Sequence, residues 1–470
     1  MNNKSKTIAS WIIPIMVGVI IAVLPVPAGL STKAWYLLAI FLSTIIGFIM
    51  QPLPIGAIAL ISITITQLAN VLKPSQALAG FGNSSIWLIV AAFLFAKSFI
   101  KTGLGRRIAF WLITKMGTST LKLAYTIILS DLIISPATPS NAARAGGILF
   151  PIVRGLASAF DSEPNKNPRR VGAFLIQAEY QGNTVTSAMF MTAMAGNPLD
   201  ILLASQALGI NMTWGTWALA AIVPGLIALA VIPYYLYKVY PPELKKTPEA
   251  QALAQQELAE MGPISYAEKA VAFIFVGALL LWSTSNLTGL NATVVALLGV
   301  SSMLVTKILS WQDVLDEKGA WDTLVWMGTL VGLAGQLAKS GVIDWMSGHI
   351  SSALVGVSWL ATLVILLLIY FYIHYGFASL TAHITALYST FITIAVAAGA
   401  PAYLAVLVFA FASNLCMSLT HYAAAPAPIY FGAGYVPQST WWKLGFQVSV
   451  INIVIWFGIG SVWWKVLGLW

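Results

Sequence analysis

Charge is scarce in this chain. Only 8% of its 470 residues are Asp, Glu, Lys or Arg, whereas a soluble domain carries about 25%, so a water-soluble globule is excluded. Disorder is excluded too, because it needs low hydrophobicity and high charge. Cysteine is reduced to Cys416, which rules out an intramolecular disulfide. No Cys/His set has metal-ligand spacing, so no metal or cofactor is expected. No Ala-x-Ala cleavage signal follows the first apolar run, which reads as a retained span. Hydrophobic residues make up 59% of the chain and the mean hydropathy is +0.85. The excess of 24 basic over 15 acidic residues would suggest nucleic acid in a soluble protein. In so apolar a chain it reports loops on one side of a bilayer, and no nucleic-acid partner is expected. The reading is an all-α polytopic membrane protein.

A helical span needs about 20 apolar residues. Eleven are expected, near 8–27, 34–51, 54–72, 84–101, 171–206, 215–238, 268–286, 291–309, 322–339, 401–428 and 441–467. Two further apolar stretches, 121–155 and 357–397, are interrupted by polar and helix-breaking residues and read as re-entrant hairpins. With a cytoplasmic N-terminus, nineteen basic residues fall at cytoplasmic ends, Lys33, Lys73, Lys339 and Lys465 fall outside, and Arg144 is left within the first hairpin. A wrong parity would scatter these charges. The expected location is the inner (plasma) membrane. Trp11, Trp35, Trp441, Trp442, Trp463 and Trp464 read as interfacial anchors.

The polar stretch 240–267 reads as a cytoplasmic linker with a short helix. It separates a first repeat, 34–239, from a second, 268–470, with residues 1–33 as a preceding span. Three pairs of anchors support the repeat. Lys101-Thr102-Gly103 corresponds to Lys339-Ser340-Gly341 at an offset of 238. Ser140-Asn141-Ala142-Ala143-Arg144 corresponds to Ser379-Leu380-Thr381-Ala382-His383 at 239. Gly182-Asn183-Thr184 corresponds to Ser413-Asn414-Leu415 at 231. Lys101 is assigned inside and Lys339 outside, so the repeats are inverted and the hairpin tips meet near the midplane. Irregular backbone at that depth must be buried in protein or line a cavity, which makes the tips the expected binding site.

Pro139 is expected to stop one helix, with Ser140 or Asn141 capping the next. A new helix N-terminus offers free N–H groups and partial positive charge, an anion site. The second tip offers Ser379 and Thr381, and Arg144 and His383 lie one turn onward. Two opposed N-termini with hydroxyls and cations suit a small molecule carrying a carboxylate at each end. Spans 171–206 and 401–428 are expected to break, so that Asn183, Thr184, Gly196, Asn197, Asn414 and Pro428 border the tips. Competing structural readings stand beside these: Arg144 paired with Asp131 or Glu179, His383 as a satisfied histidine, and structural roles for His374 and His421. Glu179 reads equally as a proton carrier.

Ser140-Asn141-Ala142 followed by Ala-Arg-Ala-Gly-Gly-Ile-Leu-Phe-Pro151, and the run from His421 through Pro426, Pro428 and Gly432 to Trp441-Trp442-Lys443, resemble the divalent anion/sodium symporter family. The likeness is greatest to its exchanger branch, the bacterial citrate/succinate antiporters and plastid 2-oxoglutarate/malate translocators. The resemblance implies a homodimer in the lipid bilayer, eleven transmembrane helices per protomer, and scaffold and transport domains working as an elevator. It also implies that paired Ser-Asn-Thr motifs hold substrate carboxylates and sodium. Here Ala142 replaces Thr and Leu380 replaces Asn, which removes oxygens that sodium would use. The expectation is therefore that Arg144 and His383 replace sodium. A carrier with built-in cations returns poorly when empty, so it should be an antiporter of C4–C5 dicarboxylates such as 2-oxoglutarate, malate or succinate, with citrate and tartrate as further candidates. Sodium-coupled symport is the alternative. An anion channel lacks its continuous polar stripe, and a membrane-embedded enzyme lacks its acid/base cluster and metal or nucleotide motif.

Overall fold

The computed structural model describes residues 3–342, Trp345 and 358–470. The expected start of the second hairpin, residue 357, lies outside them, as do residues 1–2 of the first span. The chain is an all-helical bundle that opens with α1 (Asn3–Val23). A first series follows: α2 (Thr32–Met50), α3 (Ile55–Leu68), α4 (Ser84–Thr102), α5 (Leu104–Met116), α6 (Thr120–Ile134), α7 (Phe150–Ala159), α8 (Gly172–Met189), α9 (Gly196–Leu208) and α10 (Trp214–Val239). After α11 (Glu249–Glu260) comes a second series: α12 (Tyr266–Ser283), α13 (Ala292–Val305), α14 (Lys318–Lys339), α15 (Trp359–Tyr372), α16 (Leu380–Ala397), α17 (Ala402–Leu415), α18 (Ala427–Gly432), α19 (Gln438–Asn452) and α20 (Gly460–Val466).

Among the described residues, eight helices are long and apolar enough to cross a membrane, and four shorter apolar helices join them. Three of the eight, Thr120–Ala137, Trp359–Gly376 and Leu380–Ala397, are arms of the interrupted stretches that the sequence reading kept out of its count of spans. Length alone does not distinguish an arm from a crossing. Large apolar side chains lie exposed on α1, α12, α13, α15 and α20, among them Val19, Phe273, Val305, Ile365 and Val462, as expected where the solvent is hydrocarbon.

Two bundles emerge from the contacts. Helices α2–α4 pack with α12–α14, whereas α6–α10 pack with α15–α20. The seam between them is made by α9 against α4 and α14, and by α2 against α16. Within the first bundle, α14 runs very close to the turn before α4. A Cβ built on Gly80 would lie 1.9 Å from the Gly328 carbonyl oxygen. The stretch around α11 is docked on α5: Thr247 donates to the Gly117 carbonyl, Gln251 to the Thr114 carbonyl, and Arg106 pairs with Glu257 at 3.1 Å. Arg107 also ties α5 to Glu268, the capping-box residue of α12. Near the C-terminal end of α4, Lys101 Nζ lies 2.6 Å from Asp313 Oδ2. That bond, with those from the backbone N–H and hydroxyl of Ser310, holds the Asp313 carboxyl down to about 2.

Several tryptophans depart from the interfacial expectation. Trp35, Trp441 and Trp464 are buried, Trp441 with its ring 4.8 Å from that of Tyr180. Position near a span end does not imply a lipid-facing side, because the opposite face of the same turn points into the bundle.

Gly80→Ala should lower the melting temperature in detergent by several degrees, since overpacking costs about 1–3 kcal/mol. Gly82→Ala, with nothing within 4 Å of its added methyl group, should leave the melt unchanged.

Candidate functional site

Each interrupted stretch is a helix, an irregular tip and a second helix. In the first, α6 stops at Ile134, and a 3-10 turn over Ser135–Ala137 follows. Ser135 keeps helical angles (φ −57°, ψ −38°) ahead of Pro136, and the backbone turns extended at Thr138 (φ −132°, ψ 93°), the residue before Pro139, where proline disfavours the helical region. Ser140 is the cap: its hydroxyl accepts the Ala143 N–H at 3.2 Å. The chain then runs as a π-helix from Ala142 to Leu149. Pro151 has no N–H to offer the Gly147 carbonyl and its ring crowds that oxygen. The widened register accommodates the loss, with the Phe150 N–H donating to Ala145. In the second stretch a 3-10 turn over Ile373–Gly376 leads to Ser379, whose hydroxyl accepts the Ala382 N–H at 3.3 Å. Both tips therefore present serine-capped helix starts with first-turn N–H groups free of intrahelical partners.

Arg144 is not a bare cation. It is fully buried, and its Nε donates to Asp131 Oδ1 at 2.6 Å. Nη1 donates to the carbonyls of Thr138 at 2.9 Å and Ala193 at 2.8 Å, and Nη2 donates to the hydroxyls of Thr186 and Ser187. Asp131 also accepts from Asn183 at 3.0 Å and from Thr186. Of the two partners left open by sequence, Asp131 is the one paired. Glu179 is buried, and neither of its carboxylate oxygens has a hydrogen-bond partner. The picture of an unneutralised cation beside the substrate is corrected accordingly: the guanidinium fills a cage of oxygens from α6, the first tip, α8 and the loop after α8.

The helix containing Asn183 and Thr184 breaks later than those residues. Phe190 and Met194 are extended, flanking a short 3-10 turn. Asn197 bridges the break, donating to the carbonyls of Ser187 at 2.9 Å and Phe190 at 2.8 Å. The Asn414 side chain donates to Asn197 Oδ1 at 2.8 Å, joining the breaks of the two series. Thr184 donates within its own helix. A Cβ on Gly196 would strike Ile384 at 2.5 Å, so this glycine permits close packing of α9 on α16. Thus Asn183, Thr184, Gly196, Asn197 and Asn414 are engaged in packing and hydrogen bonds within the protein. Ser140, Ala142, Ser379 and Thr381 are half-buried, Asn141 and Leu380 are buried, and Pro428 is exposed.

The two tips reach one common segment, the 3-10 turn Cys416–Ser418 after α17. Asn141 Nδ2 lies 3.4 Å from Met417 Sδ, and His383 Nδ1 lies 3.7 Å from Cys416 Sγ. Tyr180 and Gln181 of α8 donate to the carbonyls of Met417 and Ser418. His383 is also bonded to His374, Nδ1 to Nδ1 at 2.7 Å. His374, His383 and Cys416 are grouped with three donor atoms within 4.8 Å. Two nitrogens on a tetrahedral zinc stand about 3.3 Å apart, so the histidines are bonded to each other rather than spread around an ion.

Sequence reasoning passed over the 450 Å³ cleft at the seam of the two bundles, lined by Asn83, Gln206, Gln336 and Lys339 among others. The clue available was three amide residues, Gln206, Gln336 and Asn83, at the ends of otherwise apolar helices.

A multi-pass helical bundle with its polar chemistry at helix breaks in the interior is the architecture of a membrane transporter. The chain belongs to the family described as the sodium:sulfate symporter transmembrane region, whose model matches residues 5–470. It is 50% identical over its whole length to YflS of Bacillus subtilis (strain 168), provisionally named a malate transporter, and covers 98% of it. It is 44% identical to the chloroplastic dicarboxylate transporter 1 of Spinacia oleracea, with 99% of this chain and 83% of that one aligned. To the inner membrane protein YbhI of Escherichia coli (strain K12) it is 38% identical, over 100% of this chain and 99% of that one. Among solved structures it shares a fold with the YdaH transporter of Alcanivorax borkumensis, at 12% identity and a TM-score of 0.56, over 99% of this chain and 97% of that one. It is a transporter and not an enzyme.

Asp131→Ala should cost about 3–5 kcal/mol by stranding a buried guanidinium, read as a large fall in the detergent melting temperature. Glu179→Gln, which severs no hydrogen bond, should shift that melt little.

Proposed function

We propose that this protein exchanges C4–C5 dicarboxylates across the membrane without sodium. 2-Oxoglutarate, malate and succinate are the leading substrates, followed by citrate and tartrate. The observation that carries the reading is the filled oxygen cage. A hard cation needs oxygen ligands, and the carboxylate, carbonyls and hydroxyls grouped around Arg144 are already held by its guanidinium. Ala142 and Leu380 supply no side-chain oxygen in their place. The relatives named for malate and dicarboxylate transport support the substrate class.

The substrate sits between the tips, one carboxylate at each serine-capped helix start, with Ser140, Asn141, Ser379 and Thr381 as hydrogen-bonding groups. Exchange follows from the helix ends themselves rather than from Arg144, whose charge Asp131 balances. Each N-terminus carries about half a positive charge. Moving two such ends through the bilayer without an anion is costly, and a bound dianion more than offsets both, leaving about one negative charge for the surrounding hydrogen-bond donors to carry. In this reading the two series are inverted repeats, the tips are re-entrant and the N-terminus is cytoplasmic. The bundle of α6–α10 with α15–α20 slides as an elevator against the bundle of α2–α4 with α12–α14. The latter forms the contact of a homodimer.

Sodium-coupled uptake is the second reading, favoured by the family's own description as sodium:sulfate symporters. Counterflow of labelled 2-oxoglutarate into sodium-free liposomes loaded with malate separates the two. Exchange persisting without sodium supports antiport, and an absolute sodium requirement overturns it.

Asn141→Ala should raise the KM for dicarboxylate severalfold without lowering the melting temperature. Arg144→Ala should abolish exchange or leave residual uptake that depends on an added monovalent cation. Unchanged sodium-independent exchange in that variant would sink the cage argument.

A further inference from the structure

The second tip contains a pair of histidines whose hydrogen bonds determine each other's protonation. His374 and His383 are both fully buried. His374 Nε2 lies 2.9 Å from the carbonyl oxygen of Ala423. A carbonyl only accepts, so His374 carries its proton on Nε2. In the neutral ring its Nδ1 is then a lone pair, and it receives the proton of His383 Nδ1 across the 2.7 Å bond. One ring nitrogen remains, His383 Nε2, which is buried without a hydrogen-bond partner. The ring is held between aromatic faces, with centroids 4.3 Å from Tyr370 and 5.0 Å from Phe377, so it cannot turn to seek another partner without repacking.

We propose that His383 Nε2 is a proton-binding site of this carrier, positioned by His374, and that one proton is bound with each dicarboxylate. The proposal rests on the dicarboxylate reading above. With the site empty, a proton on Nε2 would place a positive charge in the interior with no countercharge and no acceptor, so the ring stays neutral. His383 lies one turn after Ser379, about 6 Å along the helix from the start where a carboxylate docks. The incoming anion supplies the missing charge, and the proton comes from the aqueous phase. It leaves by the same nitrogen when the anion leaves. By linkage, the proton strengthens dicarboxylate binding as much as the dicarboxylate strengthens proton binding.

The other titratable groups around His383 do not substitute for this role. From α17 and its following turn, Cys416 gives its own proton to the Ser413 carbonyl at 3.4 Å. From α15, the Tyr370 hydroxyl is bonded to Ser413 Oγ at 2.8 Å. From α9, Asp200 Oδ1 accepts from the Ser413 hydroxyl at 3.5 Å. On α16 itself, Tyr388 donates to the Val406 carbonyl. The titratable residues of α2, Lys33 and Tyr36, are exposed. Nε2 is thus the ring atom left free to gain a proton.

The test uses purified, reconstituted full-length protein with 2-oxoglutarate, a dianion throughout the range between about pH 6.5 and 8.5. Adding it to weakly buffered protein at about pH 7.5 should remove about one proton per carrier from solution, read with a pH dye. In counterflow, KM should rise with pH, up to about tenfold per unit. His383→Gln should abolish the uptake and flatten the pH profile. His374→Leu should shift the midpoint of that profile, and His374→Gln, whose amide oxygen can accept the Nδ1 proton, should restore it. A wild-type carrier that exchanges 2-oxoglutarate with no proton uptake and a flat profile overturns the inference and leaves dicarboxylate exchange standing. Failure to exchange any dicarboxylate would instead overturn the function on which the inference rests. The wild-type measurements decide even where a variant does not fold.

Discussion

The interior depends on one buried ion pair. Arg144 and Asp131 meet at 2.6 Å with no solvent exposure on either side. An isolated guanidinium in a membrane protein would be prohibitive, and the pair is tolerable only because every remaining donor finds an oxygen. Those oxygens come from four places in the chain, so satisfying the charge also fixes their arrangement. The first tip is tied to α6 and α8, and the loop after α8 is pulled onto the same group through the Ala193 carbonyl. That loop is the break from which α9 departs toward the seam between the bundles. A charge requirement at one side chain thereby sets the path of two helices.

The second series reaches a similar arrangement with weaker chemistry. Its tip has a histidine where the first has arginine, and a histidine pair stands where the first has an ion pair. The breaks of the two series are joined by Asn414 and Asn197, and both tips lean on Cys416–Ser418. An amide pair joins the two without placing net charge between the tips, and it leaves Asn414 Oδ1 buried without a hydrogen-bond partner.

The sequence made the tips legible because their signals are local. Serine before a new helix, proline before a stop and polar residues within apolar runs act over a few positions. Ser140 and Ser379 cap helices for that reason. Other features depended on contacts distant in sequence. Whether Arg144 chose Asp131 or Glu179 could not follow from spacing, since both lie on neighbouring helices and only packing decides. The break expected in the stretch from Gly182 to Pro198 occurs at Phe190–Ala195, while Asn183 and Thr184 stay within the helix. His374 reads as structural from sequence because no residue answers to it in the first repeat, and its partners, Ala423 and His383, 49 and 9 residues away, are brought to it by packing. The seam cleft left only its three amide residues as a clue for the same reason: its lining comes from the turn before α4, from α9 and from α14.

The π-register of Ala142–Leu149 has a further meaning for how this tip could vary. A π-bulge amounts to one residue more than an α-helix needs over the same rise. Removing a residue from the stem would let the ladder relax, and the tip would rotate by about 100° about the helix axis. Arg144 would then face away from its oxygens while the helix itself lost nothing. The orientation of the charge is therefore encoded by the number of residues between Asn141 and Pro151 rather than by their identities. Single-residue length changes there would be more disruptive than most substitutions.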